Sequence, residues 1–184
     1  LDSVEIYISR LIDSFKYGNS LKEGIPVSIV GAPNAGKSSL LNSILNEEKA
    51  ITSPIPGTTR DVIEDTFNLK GKLFRFIDTA GIRKTDDNIE KIGISRTLEC
   101  IKKSEIILFL VDSTSSNKKI DNQIQEISKL KRKYKQKKVI TIFTKIDLKN
   151  NLNKSFKSNS ITIKTKDQKD ILEIKNKILE NLNT

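Results

Sequence analysis

Eight residues, Gly31-Ala-Pro-Asn-Ala-Gly-Lys-Ser38, follow the spacing G-x₄-G-K-S. Each element has a mechanical meaning. Glycines free backbone N–H groups to wrap an anion, the Lys37 ammonium balances the charge of outer phosphates, and the Ser38 hydroxyl can bind Mg²⁺. Asn34, Ala35, Gly36 and Ser39 complete the stretch that would lie against phosphate. Downstream, Asp78-Thr79-Ala80-Gly81 offers a carboxylate that can hold Mg²⁺ through water and a glycine whose N–H can meet a terminal phosphate. Alone, that group would be an ordinary strand-to-loop turn. After a glycine loop, it reads as a metal and γ-phosphate sensor.

The base is read further on, at Thr144-Lys145-Ile-Asp147. An Asp carboxylate at this place accepts from the ring N–H and exocyclic amine of guanine, a pair that adenine does not offer. GTP and GDP are therefore the expected substrate and product. Thr144 departs from the usual Asn-Lys-x-Asp, and one lost neutral hydrogen bond should cost only ~1 kcal/mol. Thr58 and Thr59 stand in a loop interrupted by Pro54, Pro56 and Gly57, where a first switch would supply hydroxyls. Thr59 is the expected second hydroxyl ligand of Mg²⁺. The closing base-contact loop is a weak match, Lys164-Thr165-Lys166, which predicts reduced nucleotide affinity.

These groups need strands and helices to bring them together. Apolar Ile25–Val30 reads as a strand into the glycine loop, and a helix follows over about 37–46. Residues 50–61 read as loop. Ile63 to Leu69 alternates apolar and polar and is joined through Gly71 to Leu73–Ile77, predicting a hairpin that ends at Asp78. A helix around 89–103 precedes the apolar run Ile106–Val111, and one around 118–133 precedes Val139–Phe143. Runs without alternation suit strands buried on both faces of a largely parallel sheet. Residues 149–160 read as loop, 161–163 as a short strand and 171–182 as a closing amphipathic helix.

The pattern predicts an α/β P-loop domain: a mostly parallel central sheet with one antiparallel edge strand, and helices on both faces. Before it, Val4, Ile8, Leu11, Ile12 and Phe15 recur at helical spacing, so 3–16 reads as an amphipathic helix. The expected division is therefore 1–22, a helical stub of a neighbouring domain, and 23–184, the nucleotide-binding domain. The chain has no Met, even at position 1, which suggests a piece of a longer reading frame.

With 184 residues, 36% of them hydrophobic, the chain can bury one sizeable core. A single Cys, Cys100, excludes an intrachain disulfide, and no apolar stretch reaches the ~18 residues of a membrane span. No membrane association and a cytoplasmic setting are expected. Cys100 itself reads as a helix residue. The net charge of +10 leaves two readings of the run Lys129–Lys138 open: the solvated face and end of a helix, or a footprint for RNA phosphates.

Pro33-Asn-Ala-Gly-Lys-Ser-Ser39, Gly57-Thr-Thr-Arg-Asp61 and Asp78-Thr-Ala-Gly-Ile-Arg83 together resemble the TrmE-Era-EngA-YihA-Septin class of translation GTPases. Within that class, Asn88-Ile-Glu-Lys-Ile-Gly-Ile-Ser-Arg96 looks most like the MnmE (TrmE) family of tRNA-modification GTPases, with the likeness running over about residues 1–148. The alternative is the second G domain of the ribosome-assembly GTPase Der (EngA), in which GTP acts as a switch for binding rRNA.

The MnmE resemblance implies several roles. Ras-like enzymes orient the attacking water with a Gln directly after the sensor glycine. Here that residue is Ile82, and the family's switch II glutamate corresponds to Glu90. Read from the residues alone, Glu90 is first an ordinary solvated first-turn helix acid that favours the helix dipole; the resemblance reverses that reading. The resemblance also implies activation by K⁺, with Asn34, Ser53, Ile55 and Thr58 as oxygen donors; Asn34 is otherwise a loop residue suited to an unusual φ. It implies pairing of two G domains across their switch regions. In a full-length protein it implies the partner MnmG and a tRNA wobble uridine as the target.

Overall fold

In this computed structural model, residues 23–51, 65–83, 90–148, 160–164 and 167–182 are described. The expected helix over 3–16, the boundary at residue 22, and the loop bearing Ser53, Ile55, Thr58 and Thr59 lie outside that set.

Six strands form one sheet: β1 (Ile25–Gly31), β2 (Thr66–Leu69), β3 (Lys72–Phe76), β4 (Ile106–Asp112), β5 (Lys138–Thr144) and β6 (Ser160–Thr162). Their spatial order is β2-β3-β1-β4-β5-β6. Every neighbouring pair is parallel except β2 with β3, so the antiparallel strand sits at one edge as expected. Gly71, at φ 79 with open space where a Cβ would project, makes the tight turn of that hairpin.

The apolar strands work on both faces. Ile106, Leu108 and Leu110 of β4 join one core cluster with Leu40, Leu41 and Ile44 of helix α1 (Lys37–Ile51) and Ile171, Ile174 and Ile178 of the closing helix. Ile107, Phe109 and Val111 join the other, with Ile101, Ile120 and Ile127. Successive side chains of a strand point to opposite faces, so a continuous apolar run satisfies two helical layers at once. Ile101 belongs to α3 (Glu90–Lys103), and Ile120 and Ile127 to α4 (Asn117–Lys133).

Four local expectations need correction. Helix α1 runs to Ile51, past the expected end at 46 and over Ala50 and Ile51, which read as loop. Nothing between Asn46 and Ile51 breaks a helix, and the first proline comes only at Pro54. Residues Thr79–Arg83, for which no helix is expected, form a single helical turn, α2. The closing helix α5 (Gln168–Leu182) begins three residues before the expected start, and β6 lies one residue earlier than expected.

The chain leaves β1 for the hairpin on one side of it and then crosses to β4 on the other. In such sheets the crevice beyond the carboxyl ends of the strands, where the winding reverses, is the ligand site. The glycine loop, Asp78, Asp112 and Thr144 all emerge at those ends.

Candidate nucleotide-binding site

The glycine loop connects β1 to α1 through residues of unusual backbone conformation. Gly31 has φ 150, Asn34 φ 61 and Gly36 φ 92. A Cβ on Gly31 would stand 2.5 Å from the backbone oxygen of Leu110, so only glycine fits where β1 packs on β4. Ala35 is fully buried, and its N–H donates to the Ala32 carbonyl at 3.2 Å, which holds the loop closed at its base. Asn34 and Ser39 are exposed. The Leu40 N–H to Gly36 carbonyl bond of 2.9 Å begins α1, whose first N–H groups point back into the loop.

Lys37 is the first residue of that helix. Its ammonium donates to the carbonyls of Gly31 at 3.0 Å and Ala32 at 2.7 Å, so the side chain curls over the loop. Burial lowers its pKa from the ordinary lysine value. Two carbonyl acceptors support the cation in place, and incoming phosphate oxygens would add to them.

The groups expected to bind metal are placed as follows. The Ser38 hydroxyl donates to the Ile82 carbonyl at 2.5 Å, which ties the start of α1 to the α2 turn. Asp78 follows β3 with φ 54, a left-handed conformation that turns its exposed side chain out of the strand line. The thiol of Cys100, on α3, donates to Asp78 Oδ2 at 3.6 Å. Burial first, and then the Asp78 charge and hydrogen bond, raise that thiol to about 11, so it remains a protonated donor near neutral pH. Cys100 is a helix residue as expected, but nothing in the sequence pointed to its contact with Asp78. Thr79, Ala80 and Gly81 form the first turn of α2, where N–H groups have no acceptor within the helix.

Ser38 and Asp78 suit Mg²⁺: one hydroxyl and one carboxylate leave room for water and phosphate oxygens, the usual company of this ion. Among the described residues, no group of three His, Cys, Asp or Glu side chains gathers into a metal cage. Thr59, the other expected ligand, lies outside the described residues. Glu90 opens α3, but its side chain also falls outside them.

The end expected to read the base is built from the carboxyl ends of β4 and β5. Thr144 is fully buried, and its hydroxyl donates to the Ala35 carbonyl at 2.9 Å, with the Val111 carbonyl farther off at 3.4 Å. The residue that departs from the usual motif thus fastens the base loop to the phosphate loop. Lys145, at φ 58, carries its ammonium to 2.6 Å from Asp112 Oδ2. The other Asp112 oxygen accepts from the Thr114 N–H at 2.8 Å and hydroxyl at 2.6 Å. Burial pushes the Asp112 carboxyl up, but the bonds from Lys145 and Thr114 outweigh it and hold the group below the ordinary carboxylate value. Asp147 lies exposed in the short 3₁₀ turn Ile146–Leu148, free to face a base. Asp112 and Thr114 went unnoticed in the sequence because an Asp at a strand end has no motif of its own. Of the closing loop, Lys164 is described: its N–H donates to Asp170 Oδ2 at 2.6 Å, a bond that braces the start of α5. Thr165 and Lys166 lie outside the described residues.

Against this geometry, a family model described as 50S ribosome-binding GTPase matches residues 26–145, well over half of the chain. The tRNA modification GTPase MnmE of Bacteroides thetaiotaomicron is 53% identical over 80% of this chain and 31% of its own length. That of Christiangramia forsetii is 44% identical over 100% of this chain and 42% of its own length. The chain belongs to this GTPase family, as a G domain of the MnmE type. It spans less than half the length of the curated relatives it matches. The G domain of the T. maritima FeoB iron transporter shares the fold, with a TM-score of 0.55 at 22% identity over 85% of this chain and 97% of that one.

The G domain is therefore a GTP hydrolase in which the glycine loop, Asp78 and the Thr144–Asp147 segment converge at one end of the sheet. Among the described residues, no helix is long and apolar enough to cross a membrane.

Proposed function

We propose that this G domain hydrolyses GTP by the K⁺-assisted mechanism of MnmE proteins, with Glu90 orienting the attacking water. The observation that carries this reading is Ile82. It directly follows the sensor Gly81, is only 7% exposed, and packs in the main core. An aliphatic side chain held in the core cannot orient water, so another group must. Glu90 is the candidate, seated at the head of α3 just beyond the α2 turn.

Ser38 and Thr59 would hold Mg²⁺, which supplies charge neutralisation across the β- and γ-phosphates. Asn34, Ser53, Ile55 and Thr58 would hold K⁺, whose charge would take the place of an arginine finger. The exposed Asn34, at φ 61 in the phosphate loop, supports that assignment because its amide oxygen is available at the rim. Lys37 balances phosphate charge while the backbone N–H groups of residues 34–39 wrap the phosphates. Asp147 accepts from guanine, and Lys145, held by Asp112, lines the base loop.

In the longer proteins that the relatives represent, this module would act in modifying tRNA with MnmG, and GTP would drive pairing of two G domains across their switches. The names of the relatives support the tRNA reading over a ribosome-assembly one.

Turnover in KCl against NaCl tests the mechanism. Faster hydrolysis in KCl is expected, and equal rates exclude the K⁺ site. Glu90→Ala should leave GTP binding nearly intact and lower kcat by ~10² or more, the usual scale for losing a positioned acid–base group. An unchanged kcat removes Glu90 from the mechanism. Sedimentation with GDP, fluoroaluminate and K⁺ should show a dimer where GDP alone gives a monomer.

A further inference from the structure

Two segments of the domain are strongly basic. Segments 102–105 and 129–138 contain nine of the 33 basic residues and one of the 23 acidic ones, Glu105, and so hold +8 of the net +10. The two segments are far apart in sequence and adjacent in space. Strand pairing sets Ile106 of β4 against Lys138 of β5, and the Lys138 N–H donates to the Glu105 carbonyl at 3.0 Å. The Lys137 ammonium caps the end of α3, donating to the carbonyls of Lys102 at 2.8 Å and Ser104.

Lys102, Lys103, Lys129, Lys131, Arg132, Lys133 and Lys135 are exposed. Among the described residues, none of these seven pairs with a carboxylate. One or two cations at a helix carboxyl end are explained by the helix dipole. That leaves the third cation in the last turn of α4, Lys135 beyond its end, and the fusion of two basic helix ends into one surface without a local cause. Tyr134 sits within it, its ring 5.5 Å from the Lys133 ammonium and 5.9 Å from that of Lys137.

We infer that this surface binds the phosphate backbone of structured RNA. It lies at the amino ends of β4 and β5, so the length of a seven-residue strand, about 20 Å, separates it from the nucleotide site. RNA and GTP can therefore be held together. An anionic membrane fits less well: the exposed large apolar side chains among the described residues are Leu98, Leu148 and Leu172, and none lies in either segment. Neither K⁺ nor GTP turnover enters this binding, so equal rates in KCl and NaCl would leave it standing.

The test is fluorescence anisotropy of a labelled RNA duplex with the whole chain, between about 50 and 200 mM salt. Wild type should bind with an affinity that falls steeply as salt rises. Lys131→Glu/Arg132→Glu/Lys133→Glu should bind at least about tenfold more weakly, with a salt slope shallower by about three. Lys70→Glu/Lys119→Glu/Lys169→Glu changes the net charge equally at exposed sites elsewhere and should stay within about twofold of wild type. The milder pair Lys129→Gln/Lys135→Gln, checked for unchanged GDP binding, should lose about threefold and guards against misfolding of the triple variant. Absence of RNA binding by wild type, or equal losses in both triple variants, would overturn the inference. So would binding to phosphatidylserine vesicles without binding to RNA.

Discussion

The two halves of the nucleotide site are held in different ways. At the base-reading half, the polar groups are bonded within the rigid ends of β4 and β5: Thr144 to Ala35, and Asp112 to Lys145 and Thr114. At the phosphate half, Ser38 and Asp78 are bonded to segments that follow the sensor, namely the Ile82 carbonyl in α2 and the Cys100 thiol on α3. The base half is thus preorganised by contacts that binding need not disturb. In the phosphate half, the groups proposed to hold Mg²⁺ are tied to the segments that the proposed mechanism has responding to the γ-phosphate. Preorganisation favours affinity, whereas exchangeable contacts let the nucleotide state bias a second conformation.

The largest effect should come from the element common to both halves. Gly31→Ala drives a methyl group into the Leu110 backbone oxygen, which cannot move without parting β1 from β4. A loss of about 3 kcal/mol in urea unfolding is expected, together with loss of GDP binding. Wild-type stability in this variant would show that the strand contact is softer than its geometry implies.

Next comes Thr144→Val, which leaves the buried Ala35 carbonyl without its donor. About 1–3 kcal/mol should be lost from stability, and GDP affinity should fall equally with Mg²⁺ or with EDTA. Ser38→Ala should behave in the opposite way, weakening GDP binding in Mg²⁺ and changing it little in EDTA. If both variants respond alike to EDTA, the division of the site into a preformed half and an exchangeable half is wrong.

A smaller effect concerns pH. The folded pKa of Asp112 is depressed, so the stability it contributes is present above the ordinary carboxylate value near 4 and is lost as pH falls through the folded value. Asp112→Asn should flatten that part of the acid-side stability profile in thermal melts. The smallest effect should be that of Cys100→Ser, which keeps a donor near Asp78 and should shift Mg²⁺-dependent GDP affinity by less than about threefold.

How much could be read in advance followed from the range of each interaction. The turn conformation of the glycine loop and the place of Asp78 and of Thr144–Asp147 at strand ends were legible because each lies in a short run beside an apolar strand. The buried strands were legible because an apolar run between breakers has few other uses. The role of Thr144 was not, because its partner Ala35 lies 109 positions away. The length of α1 was misjudged because no breaker stands between Asn46 and Ile51, so the sequence there carries no mark of where the helix ends.

By itself, the sequence determined the α/β class, the order of the elements and the phosphate-binding loop, since these depend on residue type and spacing over a few positions. Only the tertiary structure decided that Cys100 meets Asp78, that Lys145 is held by Asp112, and that two distant basic segments make one surface. The physical reason is that a parallel sheet lines up strands whose connections run through whole helices. It fixes which ends meet by backbone register, and no local pattern of side chains encodes that register.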